Sequence, residues 1–549
     1  MLKRCLATPI LTLLTAPGML AQQGEILWAD TFGSAETDYG VASLAAPDGT
    51  VWTLGSVEGF GFGSMTTVRR YERSGALLSS EQFSLSFYTT QKNAMVLDAV
   101  NGAYIGGWTR ASSFASMNMI LARVDRLGRL VWTRILVSPE WDRIQDLATD
   151  GQGGVFVGGR VGGPSGAIDG TEDAYVARYD AQGNELWSRT FGTSEYESVE
   201  ACASDGAGGL FAVGPSRGSF ALPSMGIHSA FIIRINGDGR ELWRRGVTSD
   251  HNDHLQAAAS DRRGGCYIGG GTTGNYAGPL VGVSDIIVAH FDAAGQELWR
   301  AQLGLTNKGS AVTSLAAHPD GGCVVSARSS GALGGSHEGF DDIHLLRYDD
   351  SGTLLGGRTI GSSSMEYADH VAYDRDGDLL VTGTATSDLF GASFGLRDAF
   401  VARVSADSIG ATICAVQAPN SVGRTAVLRV FGSSFVEDDL LDLRVQNLPL
   451  HSFGHFMTSS QPATPATLPG SAGDICIGGA IGHFAGPGQV LNSGGSGTFA
   501  LRIQPSSLPS PSGTLSAAAG QTWYFQAWYR DIFASTTSHM STTASIMLR

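Results

Sequence analysis

A five-residue frame recurs along the first three quarters of the chain. Gly183-Asn-Glu-Leu-Trp187, Gly239-Arg-Glu-Leu-Trp243 and Gly295-Gln-Glu-Leu-Trp299 are nearly identical. Gly24 to Trp28 and Gly128 to Trp132 fit the same frame, and degenerate copies begin at Gly75 and Gly352. The starts at 24, 75, 128, 183, 239, 295 and 352 lie 51, 53, 55, 56, 56 and 57 residues apart. A unit of this length must bury its apolar face against its own copies, so the repeat restricts the chain to a solenoid or a propeller.

Each copy holds four runs that read as strands, rich in β-branched and aromatic residues and bounded by Gly and Asp. The first is the Trp run, such as Glu185 to Phe191. The second is rich in small residues and ends in Asp, as in Val199 to Asp205 or Leu255 to Asp261. The third follows a Gly turn, as in Val155 to Gly158 or Cys266 to Gly269. The fourth is Asp173-Ala-Tyr-Val-Ala-Arg-Tyr179, with parallels at Asp285 to Phe291 and Asp398 to Val404. No useful helical periodicity occurs, and four antiparallel strands per repeat make a propeller blade. Blades taper towards the axis, so the small-residue run suits the innermost place and the Trp run the outermost. The chain begins with a Trp run at 25–33 and its seventh copy ends on the Asp-Ala run. The first run is therefore expected to supply the outer strand of the last blade and remove its exposed edge. The predicted fold is all-β: a seven-bladed β-propeller over 22–408, closed by the N-terminal strand, then a small β-sandwich over 412–549.

Composition agrees. Gly accounts for 75 of 549 residues, without a collagen period, and much of this excess comes from the repeated turns. With 42% hydrophobic and 16% charged residues the chain is too apolar and too weakly charged for disorder. Net charge is −15, and Lys occurs only at 3, 92 and 308, which argues against nucleic acid and anionic membranes as partners.

The Asp-Ala-Phe/Tyr-x-x-Arg strand, the Asp-x-x-Gly-x-x-x-Trp link and the Asp-x-x-Gly-Gly turn resemble the seven-bladed β-propeller repeats of exported bacterial proteins, often called SBBP repeats. The resemblance covers about residues 24–408 and implies the fold but little about activity. The Asp-x-x-Gly-x-x-x-Trp link also resembles the tryptophan-docking motif of quinoprotein propellers. No matching catalytic constellation accompanies it, so its role here is read as structural.

The N-terminus reads as a signal peptide over 1–21. Lys3 and Arg4 precede an apolar stretch from Leu6 to Ala16, and small residues follow to Ala21, the preferred cut, with Gly18 the alternative. No later stretch is long and apolar enough to span a bilayer. The expected location is secreted or cell-surface, where disulfides persist. Beyond the leader stand Cys202, Cys266, Cys323, Cys414 and Cys476, an odd number. Cys202, Cys266 and Cys323 lie in strand-like runs and read as buried core residues. A Cys266–Cys323 bridge between adjacent blades is open but not favoured.

Residues 412–549 contain alternating runs such as Val427 to Phe431 and Phe499 to Ile503, with Pro/Ser-rich turns at 461–471 and 505–513. Trp523 to Asp531 reads as a strand with large residues on both faces. Cys414, Asn420-Ser421, Gly473-Asp474-Ile475-Cys476 and the Trp523 run resemble an uncharacterised C-terminal module of large secreted bacterial proteins. Cys414–Cys476 is the preferred disulfide, with two free buried thiols as the alternative.

Candidate chemistry is sparse. Asp48, Asp98, Asp150, Asp205, Asp261, Asp320 and Asp374 recur once per copy in Asp-Gly type turns, where Asp accepts backbone N–H groups. Fourteen residues after each copy's first Gly stand Asp38, Thr89, Asp142, Glu197, Asp253, Gly309 and Glu366. Five carboxylates at the connection leading to the channel mouth suit a hard cation such as Ca²⁺ or a cationic ligand, or else each caps its own turn. Glu140-Trp141-Asp142 and His251-Asn-Asp-His254 break the repeat at this connection. Trp141 suits stacking on a sugar or peptide ring, or else blade packing. His251 and His254 with Asp253 between them suit a metal, weakly. Asp374-Arg-Asp376-Gly-Asp378 faintly resembles a Ca²⁺ loop but lacks the bidentate Glu. Gly214-Pro-Ser-Arg-Gly218 matches a hydrolase elbow in letters but not in its all-β context. The expected function is a secreted, non-enzymatic binding or scaffold protein. It uses the channel-mouth face for an extracellular ligand, glycan or protein, with no cofactor except Ca²⁺ as a lesser option. The alternative is an extracellular polymer-active hydrolase or lyase seeded on His251, Asp253 and His254.

Overall fold

The short β-branched runs form strands and the Gly/Asp punctuation forms the turns between them. The computed structural model describes residues 26–549 apart from 59–63, 86–88, 99–101, 111–115, 137–140, 163–171, 222–227, 320, 334–336, 338, 387, 392, 406–407, 415–416 and 534–535. The expected signal peptide, Glu140 and Asp320 lie outside these. The fold is all-β and propeller-like, built on four-stranded antiparallel sheets.

One sheet shows the plan. Asp253–Ser260, Cys266–Thr272, Asp285–Phe291 and Glu297–Leu303 follow one another across it, with the small-residue run at one edge and the Trp run at the other. The first strands of the other sheets are Tyr39–Ala45, Thr89–Leu97, Arg143–Thr149, Ala201–Ser204, Ser310–Ala317 and Glu366–Tyr373. Each lies against the first strand of the following sheet, and Glu366–Tyr373 lies against Tyr39–Ala45. Glu366–Tyr373, Leu379–Ala385 and Asp398–Val404 take Ile26–Phe32 as their fourth strand. That strand runs antiparallel to Asp398–Val404, with Trp28 opposite Arg403. Buried residues from neighbouring sheets share cores, as Phe211 and Ile232 do with Ile268 and Ile287.

The repeated Gly and Trp meet between sheets. The Trp187 indole N–H donates to the Gly237 carbonyl at 2.8 Å, in the outer hairpin of the next sheet. The ring lies on Gly239, where an added Cβ would stand 2.7 Å from Trp187 Cδ2 and where φ is +80°. Trp28, Trp132 and Trp243 donate to Arg73, Ala181 and Ala293 carbonyls in the same way. Gly75, Gly183 and Gly295 lie under those rings, and Gly352 lies under Trp299. The frame thus needs Gly twice over, for its backbone and for the indole above it.

The turn Asp residues fix the inner strands at the same end of the sheets, where Arg178 also donates to the Gly237 carbonyl. Asp150 Oδ1 accepts the Gln152 and Gly154 amides, both at 2.8 Å, while Oδ2 takes Arg178 from the third strand at 2.8 Å. Asp98 with Arg123, Asp205 with Arg234 and Asp261 with His290 repeat the arrangement. Cys202, Cys266 and Cys323 are free and buried, so no Cys266–Cys323 bridge forms.

Beyond Ile409 a three-stranded sheet (Val427–Gly432, Leu441–Gln446, Phe499–Ile503) and a larger one built on Phe453–Ser459 and Thr522–Phe533 share one core, including Leu443, Phe456, Phe525 and Tyr529. Cys414 and Cys476 form the expected disulfide. This region sits on the Asp-turn end of the repeat sheets. Ser434 bonds the Pro319 carbonyl, Asp438 pairs with Arg262 at 2.7 Å, Arg502 pairs with Asp376 at 2.6 Å, and Arg549 pairs with Asp350. Ser433, Asp438 and Leu440 border a cavity of about 390 Å³ walled by Leu44, Leu315, Ala316 and Val371 of the inner strands.

Gly239→Ala and Gly151→Ala separate the two demands on glycine. Both have positive φ, but nothing lies within 4 Å of a Cβ on Gly151. Gly151→Ala is expected to cost roughly 1–2 kcal/mol of backbone strain. Gly239→Ala adds overpacking of ~1–3 kcal/mol. Urea unfolding checks the difference, and equal losses would show that the indole imposes nothing.

Candidate functional site

The five carboxylates predicted at the connections come out as loop caps. Glu197 is fully buried and accepts Thr193 N at 2.7 Å, Ser216 Oγ at 2.6 Å and Gly218 N at 3.2 Å. Asp38 takes the Ser34 amide at 2.5 Å, Asp253 the Ser249 amide at 2.5 Å and Glu366 the Ser362 amide at 3.0 Å, each four residues upstream. Asp142, also buried, takes the Gly162 amide at 3.2 Å. A loop that leaves one strand and enters the next has buried N–H groups to satisfy, and a carboxylate at its end accepts them. Burial raises the Asp253 carboxyl, opposed by bonds from Thr272 and Ser249. The carboxylates thus turn into their own loops rather than towards one another. Among the described residues no group of three or more His, Cys, Asp or Glu is placed to hold a metal.

The His-Asn-Asp-His run disperses. The His251 side chain is 69% exposed and faces Asp250 at 3.3 Å. His254 lies over Gly271, and burial lowers its pKa. Asp253 between them points into its cap. The Asp374-Arg-Asp-Gly-Asp378 loop gathers its carboxylates around a guanidinium: Arg403 Nη2 stands 2.6, 3.0 and 2.9 Å from Asp374, Asp376 and Asp378. Arginine occupies the centre where a Ca²⁺ loop would hold its cation. Burial, with the charges of Asp378 and Asp376, raises the Asp374 carboxyl to about 6 against the pull of Arg403. In the letter match to a hydrolase elbow, Ser216 is buried and bonded to Glu197 and the Gly218 carbonyl, at the end of a strand.

Trp141 is the predicted residue that joins a cluster. Arg110, at the end of Ala103–Arg110, stands 5.0 Å from the Trp141 ring and 5.4 Å from Trp108. Arg143, the first residue of Arg143–Thr149, stands 5.5 Å from Trp108, and its Nε donates to Met117 Sδ at 3.0 Å. Arg160 pairs with Glu172 at 2.9 Å and donates to the Tyr196 hydroxyl at 2.5 Å. Arg217 stands 5.6 Å from the Tyr196 ring. Further down the inner strands Gln145 donates to Glu200 of the next sheet at 2.6 Å, as does Ser198. Burial, the charge of Arg160 and then that of Arg110 lower the Arg143 pKa, with Glu172 opposing.

This cluster lies at the loop ends of three neighbouring sheets, opposite the C-terminal region. The arginines went unrecognised in the sequence because they come from three repeats, and Arg143 and Arg160, which share a repeat, lie on different strands. The available signal was Arg110, Arg160 and Arg217 at or just past the ends of equivalent strands.

No family model matches the chain, and no curated protein matches it in sequence. Among solved structures, a fungal alcohol oxidase of the AA5 family in complex with copper is 12% identical with a TM-score of 0.41, covering 96% of this chain and 100% of its own. A PL25 ulvan lyase is 9% identical with a TM-score of 0.44, covering 68% of this chain and 96% of its own. Sqt1 from Chaetomium thermophilum is 15% identical with a TM-score of 0.39, covering 68% and 86%. Likenesses this weak carry no argument about what the chain does.

Glu197→Ala removes the acceptor of buried donors and is expected to cost ~2–4 kcal/mol in urea unfolding. Ca²⁺ is expected to leave the melting temperature of the unaltered protein unchanged. A Ca²⁺-dependent rise, lost in Glu197→Ala, would restore the carboxylates as a cation site.

Proposed function

We infer that the chain is a secreted, non-enzymatic binding protein of the SBBP propeller type. Its seven four-stranded sheets are the blades of a closed ring over residues 22–408, clasped by Ile26–Phe32, with the C-terminal residues forming a sandwich-like module. The pairing of Ile26–Phe32 with Asp398–Val404, and the contact of the seventh inner strand with the first, support closure. The odd repeat-breaking residues, and not the repeated ones, carry the binding reading.

The single observation behind the function is where charge without a carboxylate partner among the described residues gathers. Arginines at the turn end are paired: Arg123, Arg178, Arg234 and Arg403 each hold an Asp. Arg110 and Arg143, at the loop end, have aromatic rings and a thioether beside them instead. The C-terminal region covers the turn end, so the loop end is the face open to a partner. His251, Asp253 and His254 turn to separate partners, which supports the binding reading over an active site seeded on them.

A glycan and peptide array probed with the full chain tests this. Discrete binding, lost in Trp141→Ala and unaccompanied by cleavage of the bound polymer, is expected. Binding unchanged in Trp141→Ala, or release of shorter products, would contradict it.

A further inference from the structure

The loop-end cluster brings arginines together in a chain of net charge −15. Like charges at close quarters are unfavourable unless something anionic joins them. Arg160 has Glu172, but Arg110 and Arg143 are turned to Trp108, Trp141 and Met117. Arg110 Nε and Trp141 Nε1 are buried atoms without a hydrogen-bond partner among the described residues. A buried N–H without an acceptor is costly, so two of them beside each other mark a place where an acceptor belongs. The guanidinium planes rest near aromatic faces and so lose little freedom when a ligand arrives. Arg110, Arg143 and Arg160 are each half-buried, close to the surface yet partly out of water, where charge-assisted bonds are strong.

We propose that Arg110, Arg143 and Arg160, with the Trp141 indole N–H, form a binding site for the oxyanion of an acidic glycan. The forked guanidinium matches a carboxylate or sulfate oxygen pair, and either acid on a sugar ring offers the same chemistry. The surroundings favour a glycan over other anionic polymers. Glu172 pairs with Arg160, and Glu200 lies further down the inner strands; both repel a chain carrying a charge on every unit step, such as nucleic acid. They also accept from hydroxyls, as Glu200 does from Ser198 at 2.6 Å. Tyr196, Gln145 and Ser198 add further hydroxyl and amide groups of the kind that sugar hydroxyls bond. A ligand with spaced acids and many hydroxyls meets both features. This inference rests on the loop-end reading above and names the ligand class for that same face.

Titration calorimetry of the full chain with oligogalacturonate, its methyl ester, dextran sulfate and dextran tests it. One acid form is expected to bind, with affinity falling as salt rises, and its neutral counterpart is not; which acid wins identifies the source of the oxyanion. Arg143→Ala and Arg110→Lys are expected to weaken binding about tenfold or more. Arg110→Lys keeps the charge and loses only the fork, and an unchanged melting curve shows that a loss of binding is not a loss of fold. Arg240→Ala, exposed on an outer hairpin, is expected to bind as the unaltered chain does. Acid and neutral forms bound alike, or both arginine variants within twofold of the unaltered protein, would overturn the proposal. If neutral glycans bind and Trp141→Ala abolishes that, the loop-end reading stands and the oxyanion falls. If none of the four binds and the arrays also show nothing lost in Trp141→Ala, both fall.

Discussion

The contact on which the rest depends is an indole lying on a glycine. A four-stranded sheet with two apolar faces cannot stand alone in water, and neighbouring sheets here meet through both, as Ile268 and Tyr267 of one strand pack on opposite neighbours. At four of the contacts between sheets the angle and height are fixed by the outer Trp (Trp28, Trp132, Trp187 or Trp243), hydrogen-bonded to a hairpin carbonyl and seated where any side chain would collide. Trp187 on Gly239 and Trp243 on Gly295 repeat one geometry, so the order of the sheets follows the order of the frame. Where the frame degenerates the contact changes: Ser79 replaces the Trp, and Gly128 meets Val68 and Glu81 instead.

Much of the fold was legible because its causes are local and repeated. The Gly-to-Trp spacing, the small-residue inner run and the Asp-Gly turns each carry their own physical requirement and recur from copy to copy, so chance similarity averages out. The order of runs also indicated that the first strand belongs beside Asp398–Val404, some 370 residues away in sequence. The Cys414–Cys476 bridge was readable for a different reason, since the other described cysteines lie in strands of the repeats.

The candidate site was less legible. Position alone placed Glu197 and Asp253 where the loops lead into the first strands, but the direction of a side chain depends on whether buried amides upstream need an acceptor. In these loops they do, so Asp38, Glu197, Asp253 and Glu366 turn inward. The arginine cluster lay beyond sequence reasoning because Arg143 meets Arg160 only through the pairing of their two strands, and Arg110 joins them only when the adjacent sheet is set alongside. Trp141 was noticed as a break in the repeat, and that break is where the cluster forms. Structural function thus resides in positions that keep the repeat, and the proposed binding function in positions that depart from it. The two ends of the sheets divide the same way, with Asp-paired arginines and the C-terminal region at the turn end and arginines set against aromatic rings at the loop end.

Closure by the N-terminal strand is the claim on which the ring, its channel and its open face all rest. Native-state hydrogen exchange tests it most directly. If Ile26–Phe32 clasps the ring, its hydrogen-bonded amides exchange with the same opening free energy as those of Asp398–Val404, as one cooperative unit. Exchange of Ile26–Phe32 at the rate of an unprotected terminal segment, while Asp398–Val404 stays protected, would contradict it.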